Sequence, residues 1–462
     1  MRHIVVYVLL ILSTGIINIS LFNINLFAQS AGGEDERFFY GSNADEDFKI
    51  VSSDNSFSDR GIQYGAVISP IFLYEDNSGG TLSSYILNAR VWGRIYLWNN
   101  AFFYMRVKNS YLGIITQDGD YESYESDNLL ELDLAYISMP YQNMNFSVGR
   151  KYYTIGTGLV LNGRGDGAEA VWHSSLFSIN LLGLYTGLLL KDDNPYRLSE
   201  KDISDGAKRM FSGGTVSAFF NNQKLYIFGL VQIDNANQTK GNEEKYDSRY
   251  YGTGLDGVLF GDLVYYAEFV YETGTSYISD PSSNKKSNIS AFAVNSGVYY
   301  YVPPAINPFS AALNPALIFQ YSFGSGDENR ESYYSSNRPG GSGDDKGFIA
   351  FGTFAGGYAL KPQLGNIHII RGGFSFSPYR RMSVGSKYLY YLKDKKDAPI
   401  NSGEADLPKS FIGQGVDVSF RWQIFYDLSM YVNYGLFLPG DAYDSGSNKT
   451  RNFFMAGVNL SM

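Results

Sequence analysis

Residues 90–97 read Arg-Val-Trp-Gly-Arg-Ile-Tyr-Leu, and they sort by parity: Val91, Ile95 and Leu97 fall on one side, Arg90, Arg94 and Tyr96 on the other. Successive side chains of a strand point to opposite faces, so the segment builds one apolar face and one charged face. A helix would scatter both sets. The same alternation sets Leu130, Leu132, Leu134 and Tyr136 against Glu131 and Asp133, and Val416, Val418, Phe420 and Trp422 against Asp417, Ser419 and Arg421. From Gln63 onward the chain is made of such segments, each about 10 to 15 residues long, the length of a tilted strand crossing a membrane. Alternation alone also fits a soluble sandwich with its charged parity in water.

The connections separate the two architectures. Short ones are expected at Asn99-Asn100, Pro140-Tyr141, Ser174-Ser175, Asn221-Asn222, Gly261, Pro303 to Pro308, Tyr379-Arg380 and Ile424-Phe425. Longer polar stretches fall between them: Glu75 to Leu82, Ile115 to Asn128, Tyr152 to Gly167, Lys191 to Arg209, Asn235 to Asp247, Gly274 to Lys286, Ser325 to Gln363, Asp394 to Ser410 and Gly440 to Lys449. Seventeen connections join eighteen strands. The expected fold is therefore all-β: a single transmembrane antiparallel up-and-down barrel of about 18 strands, with both termini in the periplasm. Pro70 and Pro315 fall inside expected strands and call for bulges or local breaks, because proline removes a ladder donor.

Bulk composition agrees. Aromatic residues reach 16%, with 39 Tyr and 32 Phe, while charged residues reach only 18%. Amphipathic rings of this kind settle at the two headgroup levels of a membrane barrel. The balance of 37 basic and 46 acidic side chains, net −9, argues against nucleic acid as a partner. The expected surroundings of the apolar strand face are outer-membrane lipid. The absence of Cys excludes disulfides, thiolate metal sites and a lipid-attachment cysteine.

The chain divides into three parts. Residues 1–30 read as a secretory signal peptide, with Met1-Arg2-His3 as a charged start, Ile4 to Ile17 as an apolar core and Leu26-Phe27-Ala28-Gln29-Ser30 as the cleavage region. Residues 31–60 are polar and acidic and read as a flexible periplasmic leader, and 61–462 form the barrel.

One stretch carries a family resemblance. Val148-Gly149-Arg150-Lys151, followed by Gly156, Leu159, Asn162, Gly163 and Arg164 and then Asp166-Gly167-Ala168, resembles the alginate-export porins. In that family a Gly-Arg pair opens a strand–loop–strand unit and Asp-Gly leads into the next strand of an eighteen-stranded barrel. The resemblance marks Gly149, Arg150, Asn162, Arg164, Asp166 and Gly167 as the motif loop. It implies passive diffusion of an anionic polysaccharide or sugar acid through an electropositive lumen.

Parity also selects the lumen side chains. The inward basic set is Arg90, Arg94, Arg106, Lys108, Lys151, Lys224, Arg371, Lys387, Arg421 and Arg451, and the acidic set is Glu131, Asp133, Asp262, Glu268, Glu272 and Asp417. The sum leans positive, and a basic wall concentrates anions at the pore. The alternative for these charges is pairing across the lumen to hold the barrel in shape. Arg150 falls on the outward parity unless a bulge intervenes.

Enzyme chemistry is not expected. His173 with Ser174-Ser175 sits in a short turn and the other mature histidine, His368, near the opposite rim, so neither a nucleophile site nor a transition-metal site is brought together. Asp118-Gly119-Asp120-Tyr121-Glu122 reads as a solvated acidic loop rather than a calcium loop. No cofactor is implied, and the expected partners are small anionic or polar solutes or polysaccharide. The competing function is a surface adhesin or receptor acting through its long loops, Ser325 to Gln363 above all, in which Phe348 to Gly352 is a possible inserted or extra strand.

Overall fold

The computed structural model describes residues 61–462 apart from 78–79, 119, 126–129, 189–196, 199–201, 203–205, 236–244, 278–285, 304–305, 307–312, 337, 339–342, 353 and 402. The expected signal and leader, 1–60, lie outside the described residues. The stretch read as an acidic loop, 118–122, is corrected: apart from Gly119, outside the described residues, its chain from Asp120 on is strand, paired with the end of the preceding strand. The strands are β1 (Ile62–Asn77), β2 (Gly80–Tyr96), β3 (Phe102–Gln117), β4 (Asp120–Glu125), β5 (Leu130–Tyr141), β6 (Met144–Ile155), β7 (Leu161–His173), β8 (Phe177–Tyr185), β9 (Arg209–Phe220) and β10 (Gln223–Asp234). They continue as β11 (Tyr246–Leu259), β12 (Leu263–Tyr277), β13 (Lys286–Tyr301), β14 (Ala316–Gly324), β15 (Ile367–Phe376), β16 (Met382–Lys393), β17 (Phe411–Gln423), β18 (Leu428–Pro439) and β19 (Arg451–Ser461).

Neighbours in sequence pair antiparallel, and β19 pairs with β1 to close the sheet. β4 and β5 follow one another along β3, with Gly113 opposite Glu125 and Asn109 opposite Leu130. They are two halves of one interrupted strand, so the barrel has the eighteen strands expected.

The outer face is apolar. Val91, Ile95, Phe269, Tyr271, Leu317, Phe319, Val416 and Val418 are all exposed on it, while Glu268, Val270 and Glu272 alternate inward on β12. At one end the chain turns tightly. Asn99 and Asn100 (φ 49° and 64°), Asn221 and Asn222 (45° and 60°), and Phe260 and Gly261 (55° and 82°) hold the paired left-handed conformations of a two-residue hairpin. Asp262 belongs to such a turn, giving its carbonyl to Tyr301, and not to the inner wall.

Several expectations are corrected. The first connection is no loop from Glu75 to Leu82, because Asn77 still pairs with Gly80. Nor is Tyr152 to Gly167 a loop, since Ile155 pairs with Leu161 and only 156–160 turn. Pro70 lies in β1 as expected; β1–β19 pairing lapses between Ile68↔Leu460 and Ile71↔Gly457 and resumes in the same register. Pro315 lies just before β14 rather than inside it.

Leu134 and Tyr136 point inward, against the alternation read from 130–136. Arg106 pairs with Leu134 and Val107 with Leu132, so Asp133 is the extra residue of a β-bulge. One inserted residue flips every later side chain, which leaves Glu131 and Asp133 inward and brings Leu134 and Tyr136 in after them.

The segment between β14 and β15 turns into the barrel. Phe348 and Phe351 are completely buried; Phe351 packs on Phe211 at 5.3 Å and on Tyr250 at 6.5 Å between centroids. The barrel interior on this side is therefore a hydrophobic core shared by inner-wall residues of many strands and by the loop. Phe351 makes a single bridge to Leu161, so of the two readings of 348–352, inserted or extra strand, the chain takes the inserted course without forming a strand of the sheet.

Candidate pore and constriction

Two glutamates four residues apart on β12 face the same way, inward. Glu268 accepts hydrogen bonds from the Thr157 backbone N–H (2.7 Å), the Thr157 hydroxyl (2.8 Å) and the Tyr226 hydroxyl (2.7 Å). Glu272 accepts from the hydroxyls of Tyr246 (2.6 Å) and Tyr250 (3.0 Å) and from the Ile349 N–H (3.0 Å). Each carboxylate thus pins one inward element: Glu268 holds the tip of the β6–β7 hairpin, Glu272 the β14–β15 loop. The two elements also meet, the Phe351 N–H donating to the Val160 carbonyl at 2.9 Å.

The loop then crosses the lumen. Arg371 donates to the Ala355 carbonyl (2.7 Å), the Tyr391 hydroxyl to the Gly356 carbonyl (3.0 Å), and the Tyr358 N–H to Asp417 (3.1 Å). Lys361 pairs with Glu75 on β1. Burial depresses the Lys361 ammonium below its usual range, with Glu75 partly offsetting it. Two ion pairs brace the loop from within: Arg330 with Asp345 (2.5 Å) and Arg338 with Asp327 (3.0 Å), all four side chains buried.

The Asp327 carboxyl yields a pH prediction. Burial by itself would raise it, but the Lys346 N–H, Arg338 and the Asn329 N–H together hold it below the usual carboxylate range. A depressed folded value contributes stability that is complete above the unfolded value, near ~3.9, and is lost as pH falls through the folded one. Lowering the pH from 7 to about 3 is therefore expected to loosen the loop, seen as larger and noisier single-channel currents, while Asp327→Asn shows the loosened behaviour already at pH 7. A second prediction concerns Glu268. Hydrogen bonds to a charged group are each worth about 1.5–3 kcal/mol, so Glu268→Ala frees the hairpin tip, expected as fast gating noise absent from the parent channel.

Opposite these elements, β2, β3 and β5 form an inner wall of four rungs. Arg90, Lys108 and Glu131 lie side by side in register, then Trp92, Arg106 and Leu134, then Arg94, Tyr104 and Tyr136, and then Tyr96, Phe102 and Ser138 nearest the short turns. Arg106 is bound to Asp133 at 2.5 Å. Arg90 and Arg94 differ: neither forms an ion pair among the described residues, and the Nε of each has no hydrogen-bond partner. The Arg94 guanidinium lies over Phe102 (4.7 Å) and Tyr104 (5.8 Å).

The remaining predicted lumen charges are mostly committed. Lys151 binds Glu169 (2.5 Å), Lys224 lies 3.5 Å from Asp256 beside a short turn, and Arg451 makes two 2.8 Å bonds to Glu404. Arg371 is taken up by Ser322 and the loop carbonyl. Lys387 stands directly across from Asp417, and Arg421 lies near the short-turn end opposite Ser383. Glu131 and Asp133 are both reached by Arg164 at 2.5 Å.

The motif loop forms the base of the inward hairpin. β5 pairs with β6 only from Ala135 to Tyr141, so above that point the hairpin departs from the sheet and closes onto β5. Arg150 is buried here despite its outward parity, held by Asp166 (2.9 and 2.6 Å) and the Leu132 carbonyl. Thr154 donates to Asn162 at 2.9 Å. Gly149 (φ 129°) and Gly167 lie so close to neighbouring strands that a Cβ would stand 2.3 Å and 2.1 Å from backbone carbonyls. Trp92 and Tyr104 share the inward parity of Arg90 and Arg94 and of Arg106 and Lys108, and escape a selection of lumen charges only because they carry none. Asp327, Arg330 and Asp345 lie in the β14–β15 loop, where parity does not apply and the pairing depends on the fold of the loop.

A closed eighteen-stranded barrel with an apolar outer band, a charged inner wall and loops folded into its lumen defines a porin of the bacterial outer membrane. The chain belongs to the alginate export family, whose model matches residues 207–456. The stretch that carried the resemblance, Val148 to Ala168, precedes that span.

Solved structures share the fold. Pseudomonas aeruginosa OccK7 (OpdD) is 9% identical with a TM-score of 0.54, covering 88% of this chain and 99% of that one. P. aeruginosa OccK2 (OpdF), solved in complex with glucuronate, is 10% identical with a TM-score of 0.54, covering 88% and 100%. P. aeruginosa OpdK, solved with vanillate, is 9% identical with a TM-score of 0.56, covering 87% and 98%. Among curated proteins none matches the chain.

Proposed function

We propose that this porin is a passive, non-enzymatic channel for anionic solutes, sugar acids or short acidic polysaccharide, with the short turns and both termini on the periplasmic side. On this reading residues 1–30 direct export and 31–60 are a periplasmic leader. The observation that carries it is the pair of arginines, Arg90 and Arg94, left without carboxylate partners on the lumen wall among the described residues. Uncompensated positive charge along a narrow low-dielectric path raises the local concentration of anions. The glucuronate and vanillate complexes of two porins of the same fold, both carboxylates, support the solute class. The inward course of the β14–β15 loop favours a channel over an adhesin, since a loop pinned by Glu272, Asp417 and Glu75 does not project as a recognition surface.

Purified protein in planar bilayers is expected to give steady ohmic currents whose reversal potential under a salt gradient reports anion preference. Liposome swelling is expected to be faster with glucuronate than with glucose. Absence of current, or cation preference, overturns the reading.

A further inference from the structure

The lower three rungs of the β2–β3–β5 wall hold an unusual surface for a porin lumen. Lumens of water-filled barrels are polar. Here five aromatic rings line three adjacent strands in an unbroken run: Trp92 stacks on Tyr104 (6.1 Å, 22°), Tyr104 meets Tyr136 (5.4 Å), Tyr136 meets Phe102 (6.0 Å) and Phe102 meets Tyr96 (6.4 Å). Tyr104 and Tyr136 are the buried floor, and Trp92 and Phe102 lie partly exposed above it. Gly65, opposite Trp92 on β1, leaves room for the indole, as a Cβ there would stand 2.8 Å from the ring nitrogen.

Arg94 sits within this run. Its guanidinium rests on the Phe102 and Tyr104 rings and pairs with no carboxylate among the described residues. Other cations at this level are already neutralised: Lys151, 5.9 Å from the Tyr136 ring, by Glu169, and Arg106, beside Trp92, by Asp133. Trp92 and Arg94 are two residues apart on the same face of β2, about 7 Å along the strand. That spacing suits a six-membered ring laid on the indole with its carboxylate on the guanidinium. Apolar ring surface facing a wet lumen is unfavourable until something flat covers it.

We propose that Trp92, Arg94 and Phe102, supported by Tyr104 and Tyr136, form a stacking subsite near the short-turn mouth that transiently holds ring-shaped carboxylates on their way through the pore. The subsite deepens the anion-channel reading and rests on it. The shared chemistry is a flat or chair-like ring bearing one carboxylate, whether a sugar acid or an aromatic acid.

The test is open-channel block in planar bilayers with glucuronate, benzoate and glucose added separately on the short-turn side. Glucuronate, benzoate or both are expected to give resolvable blocks, and glucose none. Which acid blocks identifies the source. Trp92→Leu is expected to shorten the block about five-fold, the worth of one stacking contact, and Arg94→Gln to abolish the advantage of acid over neutral sugar. Heat-modifiable migration in gels confirms that each variant has folded, and Phe102→Leu serves as the alternative should Trp92→Leu fail that check.

The wild-type reversal potential is measured first and tests the channel reading by itself. A wild-type channel that prefers anions but whose acid blocks are unchanged in the aromatic and Arg94→Gln variants overturns the subsite alone. Glucose blocking as long as glucuronate overturns it too.

Discussion

Replacing residues 328–362 by a short Gly-Ser link is expected to raise the single-channel conductance several-fold. The segment crosses the lumen, from Tyr250 and Glu272 on one wall to Asp417 and Glu75 on the other, so its removal widens the path along its whole course. The barrel itself is expected to survive. β14 and β15 pair from Ala316↔Ser375 to Gly324↔Ile367 without help from the segment. The deletion gives up the burial of Phe348, Ile349 and Phe351, each worth about 1.5–3 kcal/mol, against a far larger sheet ladder. A milder variant separates opening from unfolding. Arg330→Ala leaves Asp345 buried without its cation, a change that costs about 3–5 kcal/mol, and is expected to give intermittent wide openings rather than a uniformly larger current. Unchanged conductance in the deletion would show that the loop does not limit flow.

Reversing Arg90 and Arg94 together to Glu is expected to turn an anion-preferring channel into one that favours cations. The double variant changes the wall by four unit charges. At about 8 Å from the ion path in a water-like dielectric each charge contributes about 0.5 kcal/mol, hence about 2 kcal/mol in all. Screening at 0.1 M salt, with a Debye length of about 10 Å, reduces this to about 1 kcal/mol for each ion, against anions and in favour of cations, which together change the permeability ratio about 30-fold. The effect grows as salt is lowered, which separates it from a change in pore width. Reversal of Arg106 is a contrasting case: its partner Asp133 is then left facing another carboxylate in a buried site, and loss of folded barrel is expected instead of altered selectivity. A reversal potential unmoved by Arg90→Glu/Arg94→Glu would remove these arginines from the conduction path.

The strand count and most faces could be read from the chain because a two-residue period survives wherever pairing is regular. Val91 and Ile95 out, Arg90 and Arg94 in, and the Asn-Asn turns all follow from local rules. The rule fails at Asp133, where one unpaired residue exchanges the faces of Leu134 and Tyr136. It fails again at Arg150, whose parity is outward but whose hairpin leaves the sheet, so that its nominal outer side is buried against β5 and Asp166. Neither event has a marker in the residue pattern, since a bulge and a departing hairpin are set by what the adjacent strands pair with.

Selecting inward charges by parity also could not separate those that are spent from those that act. Arg106, Lys151 and Arg451 are consumed by carboxylates, two of which, Glu169 and Glu404, lie outside the inward acidic set and are distant in sequence from the cations they bind. Arg90 forms no ion pair among the described residues although Glu131 lies on its own rung, because Glu131 is bound by Arg164, and Asp133 by Arg106 and Arg164.

Alternating polarity, together with the alternation of connections, was sufficient to determine a closed barrel of eighteen strands with a greasy outside and a charged inside, because side-chain direction in a strand is a local property. Whether that barrel is open, where it narrows and which charges face the solute were decided only by the tertiary structure. Those outcomes depend on contacts such as Thr157 to Glu268 and Ile349 to Glu272, between residues more than seventy positions apart that closure of the sheet alone brings together.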